Sequence, residues 1–356
     1  MKKMDICFYP TDDVELRFIA YMIEELNNRG HEASADSTMS KRSKMGIFLA
    51  HHAYNKPELA DTSIIMLHDL GQAHGMWPYF WHNEPWGRYD YGILPNKLWE
   101  NMYRNQYLLE IVSNIQREFE NFSTGQLSGE TAINLQMRSS LFPKNGVRTL
   151  GWPKYKLDNV LFNRNNYIRE VGTFAKRKFL NVLYAPSWEF NNQQDNLITS
   201  IVDLPVHIFV KQQSWFGDGG VHMARVNEMA EKHKGKWSNV TILDPKSDIF
   251  DALACADCII SDESSTLSEG ALIGVLPIAV SDWLVPDTIP PRFASTPYPY
   301  VKKILSTEIR KTIENLLLPN ALEAAKDELD FSLLEFEGSD DPVKATIDFI
   351  IEKTQT

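Results

Sequence analysis

The run from Asp257 to Ser281, DCIISDESSTLSEGALIGVLPIAVS, constrains the fold more than any other part of the chain. Cys258-Ile259-Ile260 is a short apolar run closed by Ser261-Asp262, and the hydroxyl cluster Ser264-Ser265-Thr266 follows. A helix-compatible segment then extends to Gly274, and a second apolar run covers Leu276 to Val280. Buried strand, polar turn, helix and buried strand in that order make a parallel βαβ unit. The polar turn falls where a strand ends and a helix begins. Open α/β sheets bind ligands there, because unpaired helix N–H groups and the helix dipole favour phosphate. Ser and Thr suit the position both as helix caps and as hydroxyl donors to phosphate oxygens. On these residues alone, a phosphate site and a merely well-capped helix stand level.

Size and composition set the frame. A chain of 356 residues exceeds the usual single core and predicts two domains. Hydrophobic residues at 43% and charged residues at 23% are those of a soluble globular protein. The net charge of −11 excludes a nucleic-acid partner and leaves at most peripheral contact with a membrane. Cys255 and Cys258 have a CxxC spacing, but no second pair or paired histidine accompanies them. Together with Cys7 they read as buried thiols, and neither a metal nor a cofactor is expected. The opening MKKMDICFYP reads as a first strand rather than a signal peptide, and no apolar run approaches a membrane span. A cytoplasmic location, extending to the inner face of the membrane, is the expectation.

Strand and helix patterns alternate along both halves. Asp5 to Tyr9, Gly46 to Ala50, Ser63 to Leu67, Tyr91 to Leu94 and Gly146 to Leu150 read as strands. Val14 to Asn28 reads as a helix closed by Gly30, and Lys97 to Glu120 as a long helix. The charged stretch Arg164 to Lys178 reads as a surface connection. Strands resume at Phe179 to Tyr184, His207 to Val210 and Val240 to Leu243, while Val301 to Leu317 and Asp341 to Lys353 read as amphipathic helices. The predicted fold class is α/β, with two Rossmann-like domains of mainly parallel sheet facing across a cleft. Their expected bounds are 1–165 and 166–335, with 336–356 a C-terminal helix that crosses back to the first domain.

Several spacings resemble one family, the CDP-glycerol glycerophosphotransferases of teichoic-acid and capsule assembly. Leu183-Tyr184-Ala185-Pro186-Ser187-Trp188 is similar to its LYAPTW motif. Ser247-Asp248-Ile249 through Ser261-Asp262-Glu263-Ser264-Ser265 resembles its run from a helix into TDYSS. Gly151-Trp152-Pro153-Lys154, with Asp158 and Leu161-Phe162 beyond, resembles its GYPRxDxLF segment. Leu67-His68-Asp69-Leu70-Gly71 is a weaker likeness to its WHGTPLK loop, and Tyr89-Asp90-Tyr91 with Pro95-Asn96 resembles the segment that follows. The resemblance implies a GT-B fold and a transferase without an obligatory metal. It implies a nucleotide-activated donor such as CDP-glycerol bound by the C-terminal half, and a glycan or lipid-linked acceptor.

It also implies roles for particular residues. His68 takes the position of the family's catalytic base with Asp69 beside it, and His74 is the rival. Ser264, Ser265 and Thr266, with Asp262, would hold the diphosphate. Glu269 either reaches the ribose or is an ordinary exposed helix glutamate. Ser187 sits just past a strand end and faces the same site; Trp188 packs near the base or caps the core. Asp248 reads as a helix cap. Where the family carries Arg-x-His-Pro, this chain has Lys211-Gln212-Gln213-Ser214. Lys211 keeps a cation for phosphate, but the amide of Gln213 carries neither charge nor proton. The loop at His68 also lacks the family's lysine, leaving Arg88, Lys154 or Arg225 to compensate. That departure keeps a second reading open, a GT-B glycosyltransferase or epimerase acting on a nucleotide sugar.

Overall fold

A computed structural model describes residues 3–11, 13–49, 55–66, 86–105, 142–153, 157–214, 221–286, 289–296, 298–337 and 341–353. The chain forms two compact units: residues 1–156 with 332–356, and residues 157–331.

In the first unit a six-stranded sheet has the order β2-β1-β3-β4-β5-β6. Its strands are β1 (Asp5–Tyr9), β2 (Glu32–Ala35), β3 (Ser43–Phe48), β4 (Ala60–Met66), β5 (Tyr91–Leu94) and β6 (Val147–Thr149). Every neighbouring pair is parallel. The apolar runs are buried because both faces of a parallel sheet are covered, so Ile6, Cys7, Phe8 and Tyr9 are all sealed from water. The helix Asp13–Asn28 turns Glu15, Ile19, Met22 and Leu26 inward, while Leu16 stays 38% exposed. Gly151 has a φ of +86°, and a Cβ there would come within 2.9 Å of Phe336 and Pro342. Only glycine lets the turn after β6 lie against the C-terminal segment, whose helix Pro342–Lys353 completes this unit.

The second unit has β7 (Leu180–Tyr184), β8 (Val206–Val210), β9 (Val240–Ile242), β10 (Cys258–Ser261), β11 (Leu276–Val280) and β14 (Lys302–Ile304). Their order is β14-β11-β10-β7-β8-β9, again all parallel. A short antiparallel pair, β12 (Leu284–Val285) with β13 (Arg292–Phe293), stands beside it. The predicted βαβ unit is present as β10, the helix Thr266–Leu272 and β11.

Two expectations are revised, and one strand was not foreseen. Arg164 to Lys178 keeps much of its surface exposed but belongs largely to two helices, Leu157–Val171 and Phe174–Arg177. Arg164 and Arg177 are drawn inward by acceptors that a pattern of charge does not reveal, while Arg169 stays exposed. Arg164 donates to the carbonyls of Leu253 and Ala256 at the end of the helix Ile249–Cys255, and Arg177 makes a bidentate pair with Asp257 at 2.7 and 2.8 Å. Val301 to Leu317 is not one helix: Lys302–Ile304 pairs with β11 as an edge strand, and the helix starts at Ile309. Glu32–Ala35 is a strand that was not anticipated, too short and polar to show an apolar run. Of the predicted helix Lys97 to Glu120, residues 97–105 are helical and the remainder lies outside the described residues. No helix among the described residues is long and apolar enough to cross a membrane.

Candidate functional site

The strand order of the second unit reverses between β7 and β10: β8 and β9 build outward on one side, β11 and β14 on the other. At such a switch point the loops leaving the two strands diverge, and a crevice opens at their carboxyl ends. Those loops are Ala185 to Glu189 and Asp262 to Ser265.

Asp262 clasps the two loops together. It is fully buried, and its Oδ1 accepts from the amides of Ser187 at 2.8 Å, Glu263 at 2.7 Å and Ser264 at 3.2 Å. Its Oδ2 accepts from the Ser187 hydroxyl at 2.7 Å and the Trp188 amide at 3.0 Å. A buried carboxylate is tolerated only when its oxygens are so surrounded by donors. Ser261 adds a second tie, donating its hydroxyl to the Ala185 carbonyl at 2.7 Å. Thr266 Oγ1 donates to the same carbonyl at 3.3 Å.

Ser264 and Ser265 stand where the loop becomes the helix Thr266–Leu272. The Ser264 hydroxyl accepts from the Thr266 amide at 3.3 Å, and that of Ser265 donates to Glu269 Oε1 at 3.3 Å. Glu269 is not an exposed helix glutamate: it is buried, and Ser265 reaches it from the loop. Asp248 caps its helix as expected, accepting from the Phe250 amide at 2.9 Å. Trp188 is partly buried and meets the His222 ring edge-on at 5.5 Å.

Lys211 and Gln213 part company. Lys211 is buried at the end of β8 and donates to the carbonyls of Pro245 at 2.7 Å and Gln212 at 3.2 Å, so its cation braces the loop after β9. Gln213 is exposed, and the amide that turns inward is its neighbour. Gln212 Nε2 donates to Glu189 Oε2 and to Gln194 Oε1, both at 2.9 Å. Glu189 also accepts from the Tyr184 hydroxyl at 2.7 Å and from the Gln194 amide at 3.2 Å. Burial pushes its carboxyl up from the ordinary value, against the pull of those three hydrogen bonds and of the Arg225 charge. The Tyr184 phenol is raised by burial and then by the neighbouring Glu189 charge.

This network, and the bidentate grip of Arg292 on Glu263 at 2.5 and 2.8 Å, were missed from sequence. Glu189 follows directly on the LYAPSW segment, but its partners come from three separate elements and have no fixed spacing. His68, Asp69, His74 and Lys154 lie outside the described residues. Arg88, in the first unit, donates to the Asn55 carbonyl at 2.5 Å.

No protein-family model and no curated protein sequence matches the chain. Solved structures do. The wall teichoic acid polymerase TagF matches in one variant form with a TM-score of 0.57 and 15% identity, covering 100% of this chain and 90% of that one. A second variant matches with a TM-score of 0.55 at the same identity and coverage. A crystal of the polymerase soaked with CDPG matches with a TM-score of 0.57 at 15% identity, covering 98% of this chain and 88% of that one. At this identity the likeness establishes the fold alone: two mainly parallel six-stranded sheets of the GT-B type.

Proposed function

We propose that the chain is a transferase that moves glycerol phosphate, or a related polyol phosphate, from a CDP-linked donor to a hydroxyl of a glycan, lipid-linked or teichoic-acid-like acceptor. The observation that carries this reading is the pair of loops at the β7–β10 switch point, locked by Asp262 so that the Ser264–Ser265 segment stands at the carboxyl end of the sheet. The fold shared with a polymerase studied with CDPG supports the donor class. With Lys211 turned to backbone carbonyls, the diphosphate would be met by hydroxyl and amide donors, which strengthen when the acceptor is charged.

The reaction asks little else of the protein. An acceptor oxygen attacks the distal phosphorus, the new O–P bond forms as the bond to the CMP phosphate breaks, and CMP departs. The acceptor proton passes to a base, and His68 takes that role by resemblance, with Asp69 orienting it. His68→Ala should lower turnover by roughly 10²- to 10⁴-fold with donor affinity nearly intact. If His74→Ala abolishes turnover while His68→Ala retains it, the base is His74.

A nucleotide-sugar transferase or epimerase is the second reading, favoured by the exposed neutral amide of Gln213 where the family carries an imidazole. One screen separates the two. Mass spectrometry of reactions with CDP-glycerol and a panel of UDP-sugars should detect CMP release from the first and no UDP release from the others. UDP release without CMP would replace the leading reading with the second.

A further inference from the structure

A second concavity lies in the second unit, built from none of the loop residues at the switch point. It is an open cavity of about 390 Å³ bordered by the helix Gln193–Ile201, the turn after β11, the β12–β13 pair, and the Ser306–Thr307 turn with the start of the helix Ile309–Leu316. That volume falls in the range of small-ligand clefts, roughly 300 to 1,000 Å³.

Its chemistry is specific. Among the described residues it is lined by amides such as Asn196, hydroxyls, one carboxylate, the rings of Trp283 and Phe293 and the aliphatic residues Leu284 and Ile309, and by no lysine or arginine. A phosphate or nucleotide would meet a carboxylate there and no compensating cation, so anions are disfavoured. A neutral, hydroxyl-rich ligand fits instead: ring faces take its C–H surface, while amides and carboxylate match its hydroxyls.

Three details point the same way. Phe293 is 64% exposed, an apolar ring left in water at the edge of the cavity. Gln193 is 3% exposed, with Nε2 donating to the Leu284 carbonyl at 3.3 Å and Oε1 buried without a partner among the described residues. A buried acceptor left unmet is costly, and a ligand hydroxyl would meet it. Asp282 is fixed, both its oxygens accepting from Ser306, the amide at 2.7 Å and the hydroxyl at 2.7 Å.

The cavity is also tied to the switch-point loops. Trp283 meets Tyr184 edge-on at 5.7 Å, and the Tyr184 hydroxyl donates to Glu189. Phe293 follows Arg292, which grips Glu263. We infer that this cavity is a binding site for a neutral saccharide unit, separate from the diphosphate site. The inference stands whether or not the donor is CDP-linked, because its test uses no nucleotide.

The test is saturation-transfer NMR on the full chain with glucose, galactose, N-acetylglucosamine and maltose, and glycerol 3-phosphate as the anionic probe. At least one neutral sugar should bind with a dissociation constant of roughly millimolar order, and Phe293→Ala and Asn196→Ala should each weaken it about tenfold. Both side chains are exposed, so the variants should melt like the wild type; if one fails to fold, the other decides. Ser265→Ala should leave sugar binding unchanged. Absence of signal from all four sugars, equal binding in the folded variants, or stronger binding of glycerol 3-phosphate than of any sugar would overturn the inference.

Discussion

Asp262 shows how a single side chain can hold two loops together. Its carboxylate holds the amides of two loops and the Ser187 hydroxyl, so removing it leaves several buried donors unmet at once. Asp262→Ala should cost about 3 kcal/mol or more in urea unfolding and should weaken nucleotide binding beyond that loss, because the Ser264–Ser265 segment would no longer be held. Little of this was legible in the sequence. Asp262 could be read as part of a phosphate loop, but its role as a clasp depends on the two loops meeting through a strand order that no local pattern encodes. Glu189 is the second case. Its carboxyl is raised above the unfolded value of 4.5 by burial, so the folded chain keeps a proton that the unfolded chain has lost. The stability it lends is complete below 4.5 and drains away as pH rises through the folded value. Urea midpoints should therefore fall over that window in the wild type, and the slope should be reduced in Glu189→Gln; an identical slope in both would assign the titration elsewhere.

At the scale of elements, strands announced themselves wherever a run is buried on both faces, as in Asp5–Tyr9, Leu180–Tyr184 and Leu276–Val280. Edges were harder. Glu32–Ala35 and Lys302–Ile304 are outermost strands, and half-exposed residues there leave no continuous apolar signal. Charge misled at Arg164 and Arg177, since a guanidinium can be drawn inward by helix-end carbonyls or a buried aspartate that the sequence keeps 80 or more residues away. The Gly151-Trp152-Pro153 turn behaved differently. Its glycine reads as a breaker, and the structure adds the reason: a positive φ with Phe336 and Pro342 against it. Gly151→Ala should destabilise the chain by about 3 kcal/mol, combining backbone strain with overpacking, and urea unfolding would measure it. A loss below about 0.5 kcal/mol would mean that the C-terminal segment does not press on this turn.

The whole molecule repeats one architecture in two orders. The first unit runs β2-β1-β3-β4-β5-β6 and the second β14-β11-β10-β7-β8-β9, so each has its own reversal and its own crevice at the carboxyl ends. The alternation of strand and helix made the fold class readable, while the reversal points that choose the ligand loops emerge only once the strands are ordered in space. In the second unit the reversal falls at the most informative stretch of the sequence, the Ser261-Asp262-Glu263-Ser264-Ser265 turn, opposite Ser187 and Trp188. The claim that this turn holds the diphosphate of a CDP-linked donor is open to direct titration. Calorimetry with CDP-glycerol should show binding to the wild type and an affinity weakened by about 1–2 kcal/mol in Ser265→Ala, and further in the double variant Ser264→Ala/Ser265→Ala. No binding of CDP-glycerol to the wild type, or equal affinity in the folded double variant, would contradict it.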